Sequence, residues 1–266
     1  PKTLQNRNAS LRRLIDEFGA RTISSIRPHE VAQLLRRLHA QYPHLARRVL
    51  IEARDCFGEA VAYGWINTNP AASVRHQPTK VARRRLTLDE WQRIYAWSQA
   101  NQPPWASRMI LLALVSGQRR ADLQKMRFED VRDGYLYIQQ QKKGARVRLP
   151  LDLRLEAIGV SLGEAIEQCR DYAPAGEYLL RKSTGERPVC PSLSARFEDA
   201  REGVYGKHTG TGLPPCLHEC RSLAERLYRK QGIDTRTLLG HKRQSMTDIY
   251  NDDRGLSDGE WKTLEV

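Results

Sequence analysis

Between Trp105 and Val115 the chain is apolar on almost every side, broken only by Ser107 and Arg108. A helix with no polar face has to be surrounded, so neighbouring segments must supply enough elements to bury it from all directions. Its longest uninterrupted apolar run, Met109 to Val115, is far shorter than the roughly 20 residues a bilayer span requires, which makes it the central helix of a globular domain. Nothing at the start of the chain has the basic and apolar regions of a secretion signal. At 266 residues the chain exceeds the ~100–200 typical of one domain, so two domains are expected.

The break between them shows as a loss of periodicity. Ahead of it, Leu11, Leu14, Ile15 and Phe18 keep helical spacing up to Gly19, and a second helix from Pro28 to about Gln41 aligns Val31, Leu34, Leu35 and Leu38. A third and longest helix carries Leu45, Val49, Leu50, Ala53, Phe57, Ala60, Val61 and Trp65 in period. Arg36, Arg37, Arg47, Arg48 and Arg54 fall off these stripes, as they would on a helical module that grips DNA. From Asn67 to Arg85 the pattern gives way to Asn-Pro, Gln-Pro and a basic run ending in Arg83, Arg84 and Arg85, three cations that could lie along a phosphate backbone or simply be solvated. We expect a helical DNA-binding domain over 1–74, a basic linker over 75–86 and a second domain over 87–266 that ends in a tail, 251–266.

The second domain opens on a capping box, Thr87-Leu-Asp-Glu90, ahead of Trp91, Ile94 and Trp97. After a short helix with Leu123 and Met126, period-two alternation over Tyr135–Gln139 and Arg146–Leu149, joined at a Lys142-Lys-Gly turn, predicts a β-hairpin. Helices are expected near 162–172, 192–204, 216–231 and 235–239. The fold class is mostly α with a small antiparallel sheet, α+β.

Lys and Arg number 44 against 31 Asp and Glu, a net charge of +13 that calls for a polyanionic partner. Ten of those charges sit in residues 1–85, which hold 16 Lys and Arg against 6 Asp and Glu, so the first half is the one to expect against nucleic acid. Five cysteines at irregular spacing form no disulfide framework and suit a reducing cytoplasm. The chain opens on Pro1 rather than Met, and a further segment ahead of it is expected.

The second half carries a set of groups suited to phosphoryl transfer. His218 and Arg221, three apart on a predicted helix, project from one face and can aim two donors at one phosphate, with the guanidinium matching two oxygens at once. Arg119 follows the apolar helix and the break Ser116-Gly117, where a charged side chain can leave the core for a cleft. Lys142 or Lys143, at the hairpin turn, could protonate a leaving oxygen. His241 follows Gly240, a helix-ending residue, and Tyr250 lies nine residues on. Cations around a phosphodiester with a phenol to attack it are enough to cut DNA without a metal or cofactor. A zinc site on Cys216, His218, Cys220 and His241 is the alternative, disfavoured because no C-x-x-C pair accompanies them and the arginines would have no role.

The frames Ser-Gly-Gln-Arg at 116–119, His-Glu-Cys-Arg at 218–221 and Leu-Gly-His at 239–241 with Tyr250 resemble the tyrosine recombinases, most closely the lambda-type phage integrases. The likeness is close over Thr87–Val266 and loose before it. It implies Arg119, Lys142, His218, Arg221 and His241 as catalytic cations and donors, Tyr250 as nucleophile, and Asp122 as the acidic residue that supports the Arg119 loop. It favours Lys142 over Lys143 by alignment with the family's Ser-Lys-x-Gly. Cys220 departs from the family's usual leucine, and Arg120 is an added cation. The resemblance further implies site-specific recombination of double-stranded DNA core sites through a 3′-phosphotyrosyl link. The working form would be a homotetramer of C-shaped two-domain subunits that exchange their C-terminal tails, with accessory bending or directionality proteins as further partners. A type IB topoisomerase and a catalytically silent DNA-binding regulator are the other readings of the same residues.

Overall fold

The computed structural model describes residues 2–78, 83–142, 144–172, 174–210 and 212–252. Lys143 and the tail beyond Asp252 lie outside the described residues, and with them the alternative hairpin lysine and the docking expected of the tail. The chain divides into two compact units, residues 1–81 and 82–266. No described helix is long and apolar enough to cross a membrane.

Among the described residues the first unit holds the α-helices α1 (Lys2–Phe18), α2 (Pro28–Gln41) and α3 (Pro43–Ala62), with a short 3-10 turn at Ile23–Ser25. α2 and α3 each start on a proline, which lacks the amide that a first turn leaves unbonded. Val31, Leu34, Val49, Leu50, Ala53 and Phe57 close a single core between them. Three expected core members, Ile15, Val61 and Trp65, are outside it and exposed. Ile15 is 64% exposed, because α1 presents Leu14 and Phe18 inward and turns Ile15 away. The period of α3 does not reach Trp65: the helix stops at Ala62, Gly64 takes φ +72°, and the Trp65 amide bonds back to the Ala60 carbonyl. Trp65 is thereby left exposed, stacked on Tyr63 at 5.6 Å between ring centroids. Arg36, Arg47 and Arg48 are exposed, whereas Arg37 pairs with Glu17 and Arg54 donates to the carbonyls of Ala71 and Val74.

In the second unit the capping box forms as read, with Thr87 and Glu90 exchanging bonds of 3.1 and 3.0 Å at the head of α4 (Leu88–Asn101). The all-apolar segment is α5 (Pro104–Ser116), buried throughout Trp105–Ser116 apart from Arg108. α4, α7 (Leu162–Arg170), α8 (Cys190–Tyr205) and α9 (His218–Lys230) all pack on it. Each leucine, isoleucine or methionine so enclosed contributes about 1.5–3 kcal/mol, which is why this helix fixes the domain. A three-stranded antiparallel sheet stands beside the helices in the order β1 (Val131–Arg132), β2 (Tyr135–Gln139), β3 (Arg146–Pro150). Its register runs from Tyr135 opposite Pro150 to Gln139 opposite Arg146, so Leu136, Ile138, Val147 and Leu149 share the buried face. A two-residue pair, β4 (Arg154–Leu155) with β5 (Val160–Ser161), precedes α7. Short helices α6 (Arg120–Leu123) and α10 (Thr235–Leu238) and the eight-residue α11 (Gln244–Asn251) complete the unit.

Residues 83–86, read from sequence as the end of the linker, are packed into this unit. Arg83 bridges Leu213, the Arg84 amide bonds the Leu213 carbonyl at 3.0 Å, and Leu86 is fully buried.

Candidate active site

Two chain breaks meet at the floor of the site. α5 ends at Gly117, whose φ of +62° strains any other residue and where an added Cβ would meet Leu239 at 3.3 Å. α10 ends in a Schellman turn, in which Gly240 takes φ +63° and the His241 amide reaches the Arg236 carbonyl at 3.0 Å. Arg221, on the first turns of α9 and 1% exposed, ties the two together. Its Nη1 donates to the Gly117 carbonyl and its Nη2 to the Leu239 carbonyl, each at 2.6 Å. Nη2 also lies 3.2 Å from His241 Nε2. Its Nε is buried and has no hydrogen-bond partner among the described residues.

Two buried amides that the sequence reading gave no role extend this floor. Gln140 follows β2, and its Oε1 accepts from Arg119 Nη1 at 2.8 Å. Its Nε2 donates to Gln118 Oε1 at 2.8 Å and to the Leu239 carbonyl at 3.0 Å. Gln118 in turn donates to the Leu238 carbonyl at 2.8 Å. Arg119, Arg221 and the His241 corner are thus held by one continuous set of bonds. Of the two, only Gln118 left a trace, as the third residue of the Ser-Gly-Gln-Arg frame.

Asp122 does not grip Arg119 through its carboxylate. The helical turn of α6 points it at the hairpin, where Oδ1 accepts the Gln141 amide at 2.8 Å and so places the turn that bears Lys142. Lys142 is exposed there and near enough to His218 to disfavour its protonation. Arg120, the added cation, donates to Ser194 on α8 instead of joining the cluster.

Tyr250, on α11, meets the cations within its own chain. Its hydroxyl is 3.4 Å from His218 Nε2, its ring stacks on His241 at 5.6 Å between centroids, and the Arg221 guanidinium carbon lies 5.8 Å from the ring centre. The backbone here is pinned by Ser222, which donates to the Tyr250 carbonyl at 3.1 Å, and His241 Nδ1 is 2.9 Å from Thr247 Oγ1. Burial, then Arg221, Arg119 and Lys142, push the His218 imidazole down to about 4. Arg85 adds to the same push, and its direction, toward a neutral ring able to accept a proton, is what four nearby cations require. Burial and Arg119 likewise lower Arg221 to about 10, still charged at neutral pH.

The structure therefore brings together Arg119, Lys142, His218, Arg221, His241 and Tyr250. It does not bring out the basic run as a phosphate track. Arg83 donates to the Pro214 carbonyl, Arg84 pairs with Glu90, and Arg85, 2% exposed, cannot lie on a phosphate backbone because Glu219 and two main-chain carbonyls enclose its guanidinium. The zinc reading fails on geometry: Cys220 is buried in the core with its thiol pKa pushed well up, while His218 faces Tyr250. Among the described residues no group of three His, Cys, Asp or Glu is arranged to hold a metal ion.

Residues 84–255 match the phage integrase family and residues 1–77 the phage integrase central domain. The prophage integrase IntE of Escherichia coli K12 is 39% identical over 252 residues, 91% of this chain and 66% of that protein. The integrase of Enterobacteria phage P21 is 36% identical over 276 residues, 100% of this chain and 71% of that protein. The chain thus spans about two thirds of the length of these curated relatives. A crystal structure of a lambda integrase (75–356) dimer bound to a COC′ core site superposes with a TM-score of 0.90 at 34% identity, covering 100% of this chain and 92% of that one. A lambda integrase tetramer bound to a Holliday junction gives a TM-score of 0.89 at 34% identity, over 99% of this chain and 74% of that one. On its sequence, its fold and the residues gathered around Tyr250, the chain belongs to the phage integrase family, the tyrosine recombinases.

Proposed function

We propose that this chain is the core-site-binding and catalytic part of a site-specific DNA recombinase that integrates or excises a mobile element. The observation that carries the reading is the placement of the Tyr250 hydroxyl 3.4 Å from His218 in the same chain, beside Arg221 and His241. The phenolic oxygen attacks the scissile phosphorus, forming a 3′-phosphotyrosyl bond and breaking the bond to the 5′ oxygen. The phenol proton passes to the neutral His218 ring, and Lys142 supplies a proton to the leaving oxygen. Arg119, Arg221 and His241 neutralise charge on the non-bridging oxygens; a well-aimed donor of this kind is worth about 3–4 kcal/mol in the transition state. Attack by a 5′ hydroxyl from another strand reverses the steps, so rejoining needs no nucleotide cofactor.

The lambda structures, a dimer on a core site and a tetramer on a Holliday junction, support double-stranded core sites and a tetramer as the working assembly here. The tail, 251–266, is the segment we assign to exchange between neighbouring subunits, and Arg36, Arg47 and Arg48 are the first-unit cations we assign to phosphates. A nicked suicide duplex tests the chemistry. The wild-type chain should form an adduct that survives denaturation and maps to the peptide containing Tyr250, and Tyr250→Phe should form none. An adduct at another residue, or none with a cognate duplex, refutes the reading. Relaxation of a supercoiled circle without exchange between paired sites would place the chain with the topoisomerases.

A further inference from the structure

The nucleophile's helix buries little of itself, with Tyr250 packed half-buried against the core. α11 is eight residues long, Thr247 is its one buried residue among those described, and Ile249 beside the tyrosine is 63% exposed. A helix this short is marginal by itself. Its last carbonyls, moreover, have no partners within the helix. Arg85 supplies them. Its Nη2 donates to the Ile249 carbonyl and its Nε to the Asp252 carbonyl, both at 2.6 Å, so one planar cation brackets Tyr250 from either side. The positive charge stands at the negative end of the helix dipole, where it is favoured. Nη1 is anchored 3.1 Å from Glu219, the buried neighbour of His218 on α9. The same guanidinium therefore touches the helix that carries the proton acceptor and the helix that carries the phenol.

We propose that Arg85 is a positioning residue for Tyr250, fixing the end of α11 to α9 so that the phenol stays on the cationic pocket of its own chain. This rests on the function proposed above and goes beyond it by assigning a role to a residue that touches no substrate. Lysine cannot do the same work: a point-charge ammonium lacks the planar fork that spans two carbonyls and a carboxylate. Removing the cation alone would strand the Glu219 charge in the interior, so the informative variants are Arg85→Lys, which keeps a partner for Glu219, and the pair Arg85→Gln with Glu219→Gln, which removes both charges.

The experiment uses the full chain on the suicide duplex, with DNA affinity, melting temperature and adduct rate measured for each variant. Both variants should bind DNA as the wild type does and form the adduct ~100-fold more slowly, the scale of a misplacement of about 1 Å at a reacting group. Fluorotyrosine at position 250, read by fluorine NMR, should move toward the signal of a solvated phenol in either variant, a change that a generally softened fold would not confine to one ring. An Arg85→Lys protein that melts with the wild type and keeps its adduct rate within about threefold overturns the proposal. A loss of affinity that matches the loss of rate overturns it too, since Arg85 would then be contacting DNA. Should the wild type form no adduct, the proposed chemistry fails, and the fluorine signal, which needs no reaction, still decides whether Arg85 holds the phenol.

Discussion

Gly240→Ala should damage the site through one side chain, and the structure gives the size of the effect. Gly240 sits at φ +63°, where a Cβ costs about 1–2 kcal/mol in backbone strain. That Cβ would also stand 2.8 Å from Gln140 Nε2 and 3.0 Å from its Oε1. Gln140 is 1% exposed and its amide is fixed by Arg119, Gln118 and the Leu239 carbonyl, so moving it forfeits up to three hydrogen bonds. At about 0.5–1.5 kcal/mol net for each bond, the collision adds roughly 2–4 kcal/mol to the strain. Gly134→Ala is the control. It has the same strain, at φ +76°, and nothing within 4 Å of the added methyl. Thermal melts of the two should differ by about 5–15 °C, taking roughly 2–4 °C per kcal/mol for a domain of this size. Gly240→Ala should slow adduct formation as well, because Arg119 loses the acceptor that orients it, and Gly134→Ala should not. The decisive measurement is the double variant Gly240→Ala with Gln140→Ala, in which the methyl has room. Its loss should fall short of the sum of the singles by more than about 1 kcal/mol, and additivity within about 0.5 kcal/mol would refute the reasoning.

His218 should titrate by proton NMR well below the ordinary 6.5, toward the value of about 4 that burial and the neighbouring cations impose; a value at or above 6.5 would show that the pocket is not assembled. Because the folded-state pKa is the lower one, this residue's contribution to stability is present above pH 6.5 and is lost as pH falls from there toward 4. Gly203→Ala places a methyl 2.2 Å from the Trp97 ring between α8 and α4. Overpacking of about 1–3 kcal/mol should outweigh the roughly 1 kcal/mol gained in helix propensity, so the urea midpoint should fall, and a rise would show that Trp97 is free to move aside.

What could be read from the sequence was what local chemistry restricts. α5 was visible because a helix apolar on every side has one possible location, and the hairpin because alternation fixes which face is buried. The catalytic groups were visible because few residue types can neutralise a phosphate or attack it. Their supports are different in kind. α11 buries only Thr247 and part of Tyr250, and the bonds to its backbone from Ser222 and Arg85 leave no pattern in the sequence. Gln140 and Gln118 carry neither charge nor period, and any side chain with a donor and an acceptor could stand there until the fold shows what lies opposite. Arg83, Arg84 and Arg85 make the point most sharply. Three identical neighbours in a basic run read alike, yet one bonds a loop carbonyl, one pairs at the surface with Glu90, and one is buried against Glu219, 134 positions away. Charge counting offered all three alike to a phosphate backbone or to solvent because it sums over a segment, whereas burial is decided residue by residue by partners that a segment does not contain. Trp65 is the contrasting case: Gly64, one residue ahead of it, was enough to end the helix, and extending the apolar period past a glycine overrode a signal the sequence did hold.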